Sequence, residues 1–420
     1  MSENNQYTTS KVQEQDFTSG WAVALIIAGT GVSLPILFLG AEISLQAGFQ
    51  DAMWAFALST VVLTAFCLAT TLIGNRSRLS TYMILRFPFG KKGAHLINFI
   101  IGISLLGWFS VALELLAQAI NDTSVETLGV EFPLWLVIIV ASIFITVTTI
   151  YGIRSIEKLA NVTVPILLLF LIYVVYKCLS LESATGSTTT YVPTSDKMSL
   201  FDATSALVGS SILLPVLMAD FSRFIYNDKQ SLLAVLGVTI GFPLVLVISA
   251  LTAIQTGEVD IIQIMKSVDL IIPAFILLFA TTWFTNATNL YSISLTFSTM
   301  FSAQGFRIIC IATSIVGTIL ALFGFSDYLF DFLNILGVFT PSVSAIYIID
   351  FFLIKKQKYE LDAIPVWGRN GLVAWAISSG ITLLIYLDYF QLTQAYFIDS
   401  FLIAGVGYVF LERECFSQPG

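Results

Sequence analysis

Runs of about 18 or more apolar positions, each long enough to cross a hydrocarbon core, recur along the chain between residues 21 and 411. Twelve can be marked, at 21–47, 53–74, 93–120, 133–152, 159–180, 200–222, 231–255, 269–298, 308–326, 329–352, 370–388 and 393–411. The first, third and eighth exceed one straight crossing, which predicts a tilt or a break. Residues 1–20 are polar, and the apolar run that follows is too long for a signal peptide. The pattern predicts an all-α membrane protein of about twelve transmembrane helices.

Two of these runs carry the same interruption. Leu34-Pro35-Ile36-Leu37 followed by Ala41-Glu42 in the first is echoed by Leu214-Pro215-Val216-Leu217 followed by Ala219-Asp220 in the sixth. Proline removes a backbone donor and opens a helix, which is tolerable in a bilayer only where the freed backbone lines a cavity. Five spans separate the copies, so the second enters the membrane from the opposite side, the mark of an inverted 5+5 repeat with helices 1 and 6 broken. The expected organisation is a tail at 1–20, a first five-helix repeat at 21–182, a second at 183–358, and helices 11 and 12 with a short tail at 359–420.

Composition agrees, with 57% hydrophobic and 11% charged residues, too little charge for the surface of a soluble protein this long. With the N-terminus placed in the cytoplasm, only Lys177, Lys197 and Lys266 of the 19 basic residues fall outside. That bias predicts both termini inside, in a plasma membrane of bacterial inner-membrane type. The basic residues are then membrane anchors, and the net charge of −8 gives no reason to expect nucleic acid. Cys67, Cys178, Cys310 and Cys415 are scattered and His95 is the single histidine, which argues against a zinc site or a Cys-His pair; His95 reads as interfacial. No phosphate-cradling GxxxxGK[ST] loop, HExxH or GxSxG occurs, which disfavours an ATP-driven pump and an intramembrane enzyme. Two inverted halves also argue against a channel built from a ring of identical elements. The chain reads as a gradient-driven secondary transporter.

Several segments sharpen this: "LRFPFGKKGA" at 85–94, "GWF" at 107–109, "VGSSILLPVLMADFSRF" at 208–224, "TTWFTNATNLYS" at 281–292 and "TPSVSAIYIIDFF" at 340–352. Together, and in this order, they resemble the nucleobase:cation symporter family 1, whose members share the LeuT-type fold and among which bacterial cytosine permeases are nearest. The resemblance implies that Trp108 stacks on a planar heterocycle, and a flat π ligand suits an aromatic face. Ser210 and Ser211, beside the second break near Pro215, would hydrogen-bond the ring edge. Asn286 matches an asparagine of the family's substrate site, and the helix opened at Pro35 completes the pocket. The chain departs from the cytosine-permease pattern at three pocket positions: Leu105 stands for a glutamine, Ser211 for a second aromatic and Leu213 for a serine. These replacements leave open whether the solute is cytosine, another nucleobase, hydroxymethylpyrimidine, or a hydantoin or allantoin.

The resemblance also implies a cation site formed by Gly31 and Leu34 of the first span with Thr281, Phe284 and Thr285 of the eighth. Phe284 takes the place of a hydroxyl, and a hard cation wants oxygen, so the coupling ion stands open between proton and sodium. Carboxyls inside a membrane commonly mark pathways or proton relays, which makes Glu42 and Glu114 candidates for proton coupling. Asp220, three residues before Arg223, reads as an intrahelical ion pair. The expectation is thus a cation symporter that imports a small heterocycle across the bilayer by alternating access, without a cofactor; the sequence does not address protein partners.

Overall fold

The computed structural model describes residues 10–31, 33–151, 153–180, 188–193, 197–301, 305–393 and 395–417. The expected boundary between repeats, at 182/183, lies outside them. Each of the twelve apolar runs coincides with helix, and the described residues contain no strand beyond an isolated bridge between Thr18 and Ile225. Six helices are long and apolar enough to cross a membrane, or seven with one bent pair counted as a span, and three shorter apolar helices accompany them among the described residues.

The bent pair is the first span. Helices α1 (Gly20–Gly31) and α2 (Leu34–Ala47) meet at 58°. Ser33 is extended, with φ −131° and ψ 155°, and its carbonyl accepts from the amides of Ile36 at 3.1 Å and Leu37 at 3.0 Å. Pro35 therefore sits in the first turn of α2, where its missing N–H has no intrahelical acceptor to lose. Helices α3 (Phe49–Ser77) and α4 (Thr81–Leu128) follow. The second extends well beyond the expected 93–120 because two helices join at Gly90, whose φ of +75° favours glycine. Helices α5 (Leu134–Ile150) and α6 (Ile153–Cys178) complete this half.

The sixth span is helices α7 (Leu200–Ser211) and α8 (Leu213–Ser222). Here the interruption is present but milder than in the first span. Ile212 between them is helical, with φ −64° and ψ −26°, and the two form one 23-residue apolar run. The next span runs through α9 (Asp228–Leu236), a π-helical turn at Gly237–Gly241 and α10 (Phe242–Thr256). A short helix unmarked in the hydrophobic pattern, α11 (Ile261–Ser267), precedes α12 (Ile271–Met300), α13 (Phe306–Leu322) and α14 (Leu329–Ile349), the last ending in a π turn at Asp350–Ile354. Helices α15 (Arg369–Tyr386) and α16 (Tyr396–Ser417) close the chain.

Packing follows the small and hydroxyl residues, since between helices in lipid close approach and hydrogen bonds replace the hydrophobic drive. Helix α12 lies along α4, α10 along α2, α3 along α7 and α8, and α14 along α15 and α16. A Cβ on Gly237 would fall 2.3 Å from the carbonyl oxygen of Ala24, so α1 and the π turn touch backbone to backbone. Hydroxyls of Ser142 and Thr146 on α5 meet Ser314 and Thr318 on α13 at 2.6–3.0 Å. Cys67, Cys178 and Cys310 are buried free thiols.

Candidate functional site

The residues singled out in the sequence lie on α1, α2, α4, α7, α8 and α12, of which α12 packs against α4 and α1, and α7 packs against α3 and α14. Helix α12 is bonded to two of them. The Thr285 hydroxyl donates to the Gly29 carbonyl of α1 at 3.3 Å, and Asn286 Nδ2 donates to the Phe109 carbonyl of α4 at 3.3 Å. The second contact sets Asn286 against the backbone of the residue that follows Trp108. Asn286 is 0% exposed, and its Oδ1 is buried with no hydrogen-bond partner among the described residues. Leaving such an acceptor unpaired costs about 1–3 kcal/mol, so a buried Oδ1 of this kind suits an incoming N–H donor.

Trp108 is half-buried and meets Phe332 of α14 edge to face, with ring centroids 5.9 Å apart and planes at 70°. One residue further along α14, the Leu333 carbonyl lies 3.1 Å from where a Cβ on Gly209 would stand. Helix α14 thereby ties the Trp108 side to the Ser210 side. Phe332 is one of several phenylalanines in the tenth apolar run, and only its contact marks it. Ser210 donates to the Leu207 carbonyl of its own helix at 2.8 Å and lies 3.3 Å from the Ser211 hydroxyl. Leu105 and Leu213 are both buried.

The junction of α1 and α12 differs in detail from the expectation. Thr285 reaches Gly29 rather than Gly31, and a Cβ on Gly31 would instead meet Phe242 of α10 at 3.8 Å. Phe284 is fully buried, and a Cβ on Gly29 would lie 2.4 Å from its ring. The phenyl thus occupies the space beside the carbonyl that Thr285 holds. Thr281, one turn earlier, bonds the Leu278 carbonyl at 3.1 Å.

Leu34 leads from the break toward a cavity of about 210 Å³, lined also by Phe38, Leu115, Gln118, Asp122 and Asp260. The two acids proposed for coupling stand apart from the break. Glu42 accepts from Gln46 one turn on in α2, and buried Glu114 accepts the Ser326 amide at 2.9 Å, capping the turn between α13 and α14. On the far side of the site, the Asp220 carboxylate accepts the Thr81 amide at 2.8 Å, while Arg223, 0% exposed, donates through Nε to the Asp220 carbonyl at 3.2 Å. Arg223 thus lies against Asp220 of its own helix, as expected, and the Asp220 carboxylate also joins α8 to α4. His95 is half-buried with Tyr82 edge-on at 6.0 Å.

A family model described as permease for cytosine/purines, uracil, thiamine and allantoin matches residues 12–382. Among curated proteins, the cytosine permease of Escherichia coli strain K12 is 25% identical over 383 residues, covering 91% of this chain and 89% of its own. Among solved structures, Mhp1, a nucleobase-cation-symport-1 family transporter in a closed conformation with bromovinylhydantoin bound, superposes with a TM-score of 0.86 at 19% identity, covering 98% of this chain and 96% of the other. An inward-facing conformation of Mhp1 gives 0.79 at 19% identity, covering 96% and 93%.

Proposed function

The chain belongs to the family of permeases for cytosine and purines, uracil, thiamine and allantoin, and from that premise we propose that it imports a nucleobase or a related planar N-heterocycle across a bacterial plasma membrane by cation symport. The observation that supports the solute reading is the Asn286 Oδ1, buried and without a hydrogen-bond partner among the described residues, on a side chain whose Nδ2 donates to the carbonyl of Phe109, next in sequence to Trp108. In this reading Trp108 stacks on the ring, while Asn286, Ser210 and Ser211 take its polar edge. Leu105 and Leu213 present apolar surface, and the break before Pro35 admits the solute. Alternating access comes from rocking one helix bundle against the other across this point. The twelve-span count, the two repeats at 21–182 and 183–358 and the cytoplasmic termini belong to the same proposal.

Cytosine is the first candidate solute, since a cytosine permease is among the curated relatives. The apolar Leu105 and Leu213 also suit a differently substituted heterocycle, such as hydroxymethylpyrimidine, or a hydantoin or allantoin. For the ion, Gly31, Leu34, Thr281 and Thr285 would contribute oxygens, but a hard cation needs several, and the Phe284 ring beside Gly29 supplies none. That favours a proton, carried by Glu42 or Glu114.

Uptake into proteoliposomes tests the reading, with labelled cytosine, adenine, uracil, hydroxymethylpyrimidine and allantoin supplied under a proton or a sodium gradient separately. Saturable, proton-driven uptake of one solute is expected, and Trp108→Ala should abolish it while the protein still purifies as a folded species. Wild-type uptake by that variant would remove the site; uptake driven by sodium alone would remove the proton.

A further inference from the structure

Outside this site, two cytoplasmic-side segments far apart in sequence are stitched together by their backbones. Gly368 N–H donates to the Phe89 carbonyl at 2.8 Å, Lys91 N–H to Pro365 at 2.9 Å and Lys92 N–H to Val366 at 3.0 Å. The approach is close enough that a Cβ on Gly90 would lie 2.3 Å from the Gly368 nitrogen. This pairing brings Lys91 and Lys92 against the segment that leads into Arg369. All three are exposed, and among the described residues none makes an ion pair. The acids of the same loop, Glu360 and Asp362, pair with none of them. Lys92 Nζ stands 5.9 Å from the ring centroid of Trp367, which is 51% exposed.

At this junction α4 and α15 pack together, with Leu372 filling the notch at Gly93. Lys92, Leu96, Phe99 and Ile103 follow one another at helical spacing on α4, and Arg369, Val373 and Ile377 do so on α15. Wound from the Gly93–Leu372 contact, both stripes fall on the same side of it, and all their apolar members are exposed. Gly380, further along the α15 stripe, has no atom within 4 Å of its would-be Cβ, which leaves that part of the face uncovered. Cations at one end, an exposed aromatic beside them and exposed apolar side chains below match one chemistry.

We infer that the face formed by α4 and α15 at this junction binds one anionic glycerophospholipid, its phosphate on Lys91, Lys92 and Arg369 and an acyl chain along Leu96, Phe99, Val373 and Ile377. This assignment does not depend on the transported solute. A bound lipid would fasten the 365–368 segment to the 89–92 segment, a contact that otherwise rests on backbone hydrogen bonds in the polar headgroup layer.

The full-length protein in mixed-lipid nanodiscs tests this, with quenching of Trp367 by brominated phosphatidylglycerol compared with brominated phosphatidylcholine and Trp367→Phe isolating the signal. Preferential quenching by phosphatidylglycerol is expected. The triple variant Lys91→Gln/Lys92→Gln/Arg369→Gln should weaken it on the order of a hundredfold, while Lys355→Gln/Lys356→Gln/Lys358→Gln, which removes equal charge nearby, should leave it unchanged. Equal quenching by the two lipids in the wild-type protein would overturn the assignment whether or not the variants fold. So would an equal loss in both triples, or displacement by inorganic phosphate alone, which would indicate an anion site without an acyl seat.

Discussion

Two stretches of this chain carry proline after the same approach and fold differently. Gly29 stands six residues before Pro35 and Gly209 six before Pro215, yet α1 and α2 meet at 58° while α7 and α8 continue as one run. The difference lies upstream of the prolines. Before Pro35 come Gly31 and an extended Ser33, and the proline begins a new helix. Before Pro215 come Ser211, a helical Ile212 and Leu213, so the proline is absorbed in the third position of α8, where it offers the Ser211 carbonyl no N–H, and the next bond, Val216 N–H to Ile212, is long at 3.5 Å. Side chains also hold the carbonyls around it. The Tyr347 hydroxyl of α14 lies 3.4 Å from the Pro215 oxygen and 3.1 Å from that of Val216, to which Thr81 also donates at 3.4 Å. A proline thus marks where a membrane helix is weak, and its neighbours decide whether it parts.

The sharpest way to break the comparison is at the paired glycines. Gly29→Leu would drive a side chain into the Phe284 ring and Val164, an overpacking cost of about 3 kcal/mol or more. It should eliminate the monodisperse peak in size-exclusion chromatography, with partial recovery on adding Phe284→Ala. Gly209→Ala, facing the Leu333 oxygen at 3.1 Å, should remain folded. Recovery of Gly29→Leu without the Phe284 change would show that the first break is not held by this contact.

A smaller effect is expected at Tyr347. Replacement by Phe removes the hydroxyl from the sixth-span carbonyls and should lower thermal stability by about 1 kcal/mol, read in detergent by a thiol-independent unfolding assay. No change would mean that these carbonyls do not depend on α14. The smallest effects separate the prolines themselves. Pro215→Ala restores a donor for the Ser211 carbonyl and should stabilise by up to about 1 kcal/mol, whereas Pro35→Ala, at a helix start, should stay within about 0.5 kcal/mol of wild type. Equal shifts would erase the distinction between the two breaks.

The helices were legible in the sequence because a bilayer requires long apolar runs, and the first break was legible because glycine, serine and proline coincide there. Trp108 and Asn286 stood out as an aromatic and an amide in mid-span. What stayed hidden depends on contacts between distant segments. Nothing local announces the π turns at 237–241 and 350–354, the pairing of Gly90 with Gly368, or Phe332 against Trp108. Likewise Glu114 is a bare acid in the sequence, and only the fold supplies the Ser326 amide that it caps. The sixth span shows the same limit in reverse, since the proline marks an interruption between α7 and α8 but not how little it bends the run.

The three described thiols have a practical consequence. Cys67, Cys178 and Cys310 are packed away from solvent and unpaired, so a bulky water-soluble maleimide should find them closed while the fold is intact. With Cys415 exchanged for serine, the chain offers a quiet background for cysteines introduced one at a time along α2 and α8. The pattern of labelling at each position, with and without solute, would then map which flank of the pocket faces water at each stage of the transport cycle.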